Sequence, residues 1–281
     1  MNILVTGTSG LVGGYIYQEI KTAGLHNVIA VDREVIADLA DSNAPTLLDN
    51  LGSVDVIVHC AAQIPSVGIT MDNVAETNKK IDNNIFQFCK NNNVKIIFIS
   101  SMSVYAQYGQ DIIIDETMPV LTDSDVKNYF QEKANSELLL TELPGSVIFR
   151  VSSPYGKKQK NKNVLKIFME NARQDKDICY YGSGQRTQDF IHGIDIANAV
   201  SCALRSQAVG IFNIVSGEPI TMERLAFLVA GFFPDYSGKV CSSNVDDPQK
   251  NFRANFSNEK AGEILGWRPA VSLSAGISEL L

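Results

Sequence analysis

Cysteine is scarce in this chain: Cys60, Cys89, Cys179, Cys202 and Cys241 are five among 281 residues, odd in number and with no paired spacing. That excludes a disulfide framework or a cysteine zinc site as the organising device, and with only three histidines no metal is expected. Such thiol usage fits a reducing cytoplasm. Positive charge is also short, with 24 Lys+Arg against 31 Asp+Glu and a formal net charge of −7. Nucleic-acid affinity rests on clustered lysine and arginine, so nucleic acid is not an expected partner. No apolar run is long enough to span a bilayer, and MNILVTGTSG carries neither a basic region nor a cleavage site, so neither a membrane nor export is expected. Repeats and low-complexity linkers are missing, and one domain over 1–281 is the simplest organisation.

What is present is a rhythm of short β-branched runs. NILVT, NVIAVD, VDVIVHCAA, KIIFISS and GSVIFR read as strands buried on both faces, separated by amphipathic stretches long enough for crossover helices. This is an α/β pattern, a doubly wound parallel sheet. The stretch from Glu34 to Gly52 is short for a helix, a strand and a helix, so an abbreviated unit is expected there, with KIIFISS as the fifth strand. After Arg150 the strands shorten and loops lengthen, which predicts a smaller C-terminal α/β lobe built mainly from about 151–281. The run KKQKNK, Lys157 to Lys162, reads as a solvated loop.

VTGTSGLVGGYI places Gly7, Gly10 and Gly13 between a strand and a helix. A dinucleotide pyrophosphate would rest there on backbone N–H groups at the helix N-terminus, beside Ser9, Leu11 and Val12. The spacing differs from GxGxxG by one residue. Asp32 closes the second strand about 20 residues on, where a carboxylate would accept ribose hydroxyls. Such an acid repels a 2′-phosphate and favours NAD. Arg33 next to it could accommodate that phosphate, so NADP stays possible.

Two tyrosines are followed four residues later by a lysine, Tyr17/Lys21 in YQEIK and Tyr129/Lys133 in YFQEK. On a helix that spacing puts both side chains on one face, where the ammonium can lower the phenol's pKa. Tyr17 and Lys21 lie beyond the first turns of the glycine-turn helix, directed away from the reacting end of a cofactor. Tyr129 and Lys133 follow KIIFISS, at whose carboxyl end ligands collect in an open α/β sheet. Ser100 and Ser101 end that strand. His59 and His192 read as packed and hydrogen-bonded rather than catalytic.

TGTSGLVG, VIVHCAA, ISSMSVY, YFQEK, RVSSPYG, GSGQRTQDFIHGIDIANAV, GIFNIVSGEPIT and NEKAGEILGWRP, in that order, resemble an extended short-chain dehydrogenase/reductase of the NAD-dependent epimerase/dehydratase type over nearly the whole chain. The resemblance implies a Rossmann sheet and a set of roles. Tyr129 would be the general acid/base and Ser101 would bond the same substrate oxygen. Lys133 would lower the phenol's pKa and hold the nicotinamide ribose. Expected cofactor contacts also include Asp49, Ala61, Ala62, Asn78 and Ser100. Ser101, Ser153, Arg186, Gln188 and Arg253 would face the substrate, and a homodimer through 71–92 and 126–143 is implied.

Departures from the family pattern narrow the chemistry. Met102 and Ser103 in SMSVY stand where family dehydratases resemble TDEVY, which argues against water elimination. Ser153 replaces an Asn, and Gln188 replaces an Arg that ordinarily meets a diphosphate. Arg186 or Arg253 would have to supply that charge to a nucleotide sugar. An epimerase and a 4-ketoreductase share the machinery. A reductase of a non-nucleotide carbonyl compound and a catalytically silent dinucleotide sensor are the other readings, and the intact Ser101, Tyr129 and Lys133 speak against the sensor.

Overall fold

The β-branched runs form the strands of one sheet, and the order of elements explains where ligands can enter. The computed structural model describes residues 1–64, 69–105, 112–120, 129–250 and 252–281, without the side chains of Tyr129 and Phe130. The first half runs β1 (Asn2–Thr6), α1 (Leu11–Ala23), β2 (Asn27–Val31), α2 (Ala44–Asp49), β3 (Val56–His59), α3 (Met71–Asn92), β4 (Lys95–Ser101), α4 (Tyr129–Leu140) and β5 (Val147–Val151). There follow β6 (Ser153–Tyr155), α5 (Val164–Arg173), β7 (Ile178–Tyr180), β8 (Thr187–Gln188), β9 (Phe190–His192), α6 (Gly193–Arg205) and β10 (Gly210–Ile214). The last elements are β11 (Ile220–Thr221), α7 (Met222–Gly231), β12 (Val240–Ser242) and α8 (Leu273–Ser278).

Six parallel strands pair in the order β10-β5-β4-β3-β1-β2. The winding of the chain therefore reverses between β1 and β3, leaving a crevice beyond the carboxyl ends of those two strands. Residues 34–52 hold only α2 and turns, so KIIFISS is the fourth strand rather than the fifth; the segment is too short to cross the sheet and return. β10 completes the main sheet and α6 packs on α1, so part of 151–281 belongs to the dinucleotide half.

Alternation along each strand builds two cores. Ile3, Val5, Val58, Ile97 and Phe149 face α1 and α6, joined by Ile16, Val200 and the only tryptophan, Trp267. Leu4, Ile57, Ile96, Phe98 and Ile148 face α3 and α4, joined by Ile85, Phe88 and Leu140. The period of two in buried strands explains why each run reads as continuously apolar. The C-terminal lobe has its own core, with Leu165, Phe168, Ile178, Phe190, Leu225 and Ile277. Cap chemistry sets the helix ends. Thr70 Oγ1 accepts from Asn73 N at the start of α3, and Asn93 closes it with φ 52°. Among the described residues no helix is long and apolar enough to cross a membrane. Lys157, Lys158, Lys160 and Lys162 are exposed, as a solvated loop requires.

Candidate active site

The glycine turn lies over the crevice. Gly7 has φ +71° and donates its N–H to Val31 O at 2.8 Å, which ties the turn to β2. A Cβ on Gly13 would sit 2.4 Å from Gly7 O, and one on Gly7 would sit 2.9 Å from Ala61 Cα. Both positions therefore exclude side chains for steric reasons. Gly10 begins α1 with no side-chain cap, leaving the first N–H groups of the helix, including those of Leu11 and Val12, to be met from outside the chain. Ser9 is exposed on the same turn. Asp32 accepts from Glu34 N at 3.0 Å and from Thr8 Oγ1 at 3.4 Å, which sets its carboxylate beside the turn. These features fit a dinucleotide: a close backbone approach, an uncapped helix start and an acid at the next strand end. Arg33 is exposed one residue on.

The other side of the crevice is formed by residues 60–63 after β3. Cys60 N and Ala61 N both donate to Thr6 Oγ1 at 3.0 Å. Asn78 Oδ1 accepts from Gln63 N at 2.7 Å, and its Nδ2 donates to Gln63 O at 2.9 Å. Asn78 thus shapes the loop that carries Ala61 and Ala62. Two expected cofactor contacts need correction. Asp49 is exposed at the end of α2 and accepts from Asn92 at the end of α3, so it lies at the amino edge of the sheet, opposite the glycine turn. Ser100 is buried, with its hydroxyl on Glu137, because strand alternation turns it to the α4 side.

Ser101, the next residue, has the opposite orientation. Its Oγ accepts from Ser103 N at 3.2 Å and shares a 2.8 Å hydrogen bond with Ser103 Oγ. Tyr129 opens α4, and the orientation expected for its phenol lies outside the described residues. Lys133, one turn on, is buried with Nζ 3.4 Å from Asp82 Oδ2 and 4.4 Å from the centre of the Phe98 ring. Lys21 Nζ does lie 5.5 Å from the Tyr17 ring, but that pair sits well along α1, beyond the turns next to the crevice.

Asp82 is a site residue that motif spacing does not reveal. It also accepts from Ser136 Oγ at 2.7 Å and pairs with His59 Nε2 at 3.0 Å, while His59 Nδ1 lies 2.7 Å from Thr6 Oγ1. Because Thr6 Oγ1 already accepts two backbone N–H groups, its own proton goes to His59 Nδ1. The ring hydrogen is then on Nε2 and is donated to Asp82. Burial pushes the His59 pKa down, which keeps the ring neutral. Burial pushes Asp82 up, but Lys133, His59 and Ser136 outweigh it and hold the carboxyl below its usual range. The expectation that His59 is packed and hydrogen-bonded agrees with this geometry. His192 is also buried; its Nδ1 accepts from Ile194 N at 3.4 Å and its Nε2 lies 3.9 Å from Glu279.

On the lobe side, Gln188 Nε2 donates to Ser153 Oγ, and Arg186 Nη1 donates to Gln188 Oε1 at 3.2 Å. Arg186 Nε meets Asp247 Oδ2 at 2.8 Å. Three expected substrate residues are thus joined in one chain, with Asp247 as an added member. Arg253 stands apart, giving Nη1 to Lys250 O and Phe252 O at 3.0 Å, with no carboxylate partner among the described residues. Met102 is buried in a cluster with Val104, Tyr105 and Ile114. No cluster of three metal-ligating side chains occurs among the described residues.

A glycine cradle on an uncapped helix, an acid at the second strand end and a buried lysine on the helix after β4 define a dinucleotide-dependent α/β enzyme class. The family model for the NAD-dependent epimerase/dehydratase family matches residues 3–215. The chain belongs to that family, and NAD is its cofactor. It is 31% identical over 202 residues to dTDP-4-dehydro-6-deoxyglucose reductase of Escherichia coli, covering 66% of this chain and 60% of that protein. It is 24% identical to human dTDP-D-glucose 4,6-dehydratase, covering 99% of this chain and 88% of the relative. The structure superposes with TM-score 0.82 on Pal from Bacillus thuringiensis, at 26% identity and covering 99% of this chain and 97% of that one. The expected fold class and family are borne out.

Proposed function

We propose that the protein is a nucleotide-sugar 4-epimerase that uses NAD through a whole catalytic cycle. The supporting observation is the buried Lys133, held on the α3/α4 side of the sheet by a hydrogen-bond chain that starts at Thr6, directly before the glycine turn. NAD, when bound, accepts hydride from a sugar carbon and returns it to the opposite face. Gly7, Ser9, Gly10, Leu11, Val12 and Gly13 bind the pyrophosphate, Asp32 the adenosine ribose and Lys133 the nicotinamide ribose. Tyr129 removes and restores the proton of the reacting hydroxyl, with Ser101 bonded to the same oxygen. Because Asp247 engages Arg186, Arg253 is the better candidate for a diphosphate, and Ser153 and Gln188 face the sugar.

Relatives named for UDP- and dTDP-sugars support a substrate of that class. Relatives include dehydratases, yet Met102 and Ser103 offer no acid/base pair here, so water elimination is not proposed. A 4-ketoreductase is the second reading, favoured by the 31% identity to the Escherichia coli reductase. Leu138 and Leu139 are exposed on α4, which suits a homodimer through α3 and α4. Tyr129→Phe should abolish turnover of UDP- or dTDP-hexoses while NAD affinity is kept. Asp32→Ala should weaken NAD more than NADP. Turnover by Tyr129→Phe at the parent rate would overturn the proposal.

A further inference from the structure

Asp82 is 1% exposed and faces one cation among the described residues, the Lys133 ammonium. Its other donors are neutral: the His59 N–H from β3 and the Ser136 hydroxyl from α4. Two elements, β3 and α4, therefore hold the carboxylate through neutral donors beside the lysine. Burial is costly for a charged group without a partner, and Asp82 is the carboxylate that meets this ammonium. An ammonium has three N–H donors. Asp82 takes one, which leaves two for other acceptors.

We propose that Asp82 is a positioning residue for the reaction, aiming Lys133 and offsetting its charge at the site. The inference rests on the proposed roles of Tyr129 and Lys133. Other charged or titratable groups facing the pair are few. Cys60 follows β3, Lys79 lies on α3, and Glu132 is on α4 beside the lysine. From β4 the Phe98 ring covers the ammonium, while Glu137 is engaged by Ser100 and Arg150. Asp82 is thus the carboxylate paired with Lys133, while the neighbouring buried pair, Arg150 and Glu137, is satisfied within itself.

The sign of the effect follows from the charges. Removing the Asp82 charge leaves the lysine easier to deprotonate and, while protonated, more effective in lowering the phenol. Both limbs of the pH profile of kcat/KM should then move to lower pH in Asp82→Asn, by about one unit or more. Loss of amplitude with both limbs in place would show a merely structural role and overturn the inference. If Asp82→Asn does not fold, Ser136→Ala decides: the carboxylate loses a neutral donor and leans more on Lys133, so the basic limb should move to higher pH. An unmoved or lowered limb would overturn it. Tyr129→Phe and Lys133→Met are assayed in parallel. If either turns over normally, the reading of the site has failed; if both are inactive and the Asp82 profile is unmoved, only the inference has failed.

Discussion

Gly13 shows how much one missing atom can decide. An alanine there would place its Cβ 2.4 Å from Gly7 O and 2.7 Å from Gly7 C, both backbone atoms that cannot swing away. Gly13→Ala should therefore destabilise the protein by about 1–3 kcal/mol, read by urea unfolding, and weaken NAD binding as the turn shifts. Unchanged stability would mean that α1 slides without cost. The glycine turn, Asp32 and the place of Lys133 after β4 stand out in the sequence because each occupies a fixed place relative to a strand end. Asp82 does not, since a lone acid inside an amphipathic helix reads as a solvated position until β3 and α4 are folded against it. Ser100 and Asp49 misled for related reasons: proximity along the chain does not fix which face of a strand, or which edge of a sheet, a side chain occupies.

Among the elements, α4 carries the most unusual electrostatics. Burial pushes the Glu132 carboxyl up to about 7, with the Asp82 charge adding to the effect. Its ionised form is thus disfavoured in the fold relative to the unfolded chain. The cost is fully present above the folded value and absent below the ordinary glutamate range. Glu132→Gln should raise the unfolding midpoint at about pH 8 and leave it unchanged at about pH 4. Equal gains at both pH values would show a packing effect instead. Strands were more legible than this helix environment: the apolar runs marked β1 to β5 closely, because a sheet covered on both faces leaves continuous hydrophobic signal. The short strands of the lobe were visible only as a change of rhythm, since two- and three-residue ladders have too few positions to show a period.

For the molecule as a whole, the sheet order places the glycine turn, the loop after β3 and the end of β4 along one edge, and Ser153, Arg186, Gln188 and Arg253 follow in the C-terminal part of the chain. The lobe's boundary could not be read from the chain, because β10 and α6 return to the main sheet after the lobe has begun. If α3 and α4 pair with a second copy, sedimentation should give twice the 30.7 kDa chain mass. A monomer at every concentration would reject that surface. The most direct test of the proposed epimerase is to incubate the purified protein with UDP- and dTDP-hexoses, adding no cofactor, and to follow sugar configuration by proton NMR beside Tyr129→Phe. The wild type should interconvert one pair of 4-epimers to equilibrium, and Tyr129→Phe should not. No interconversion of any hexose by the wild type, or the same interconversion by Tyr129→Phe, would contradict it.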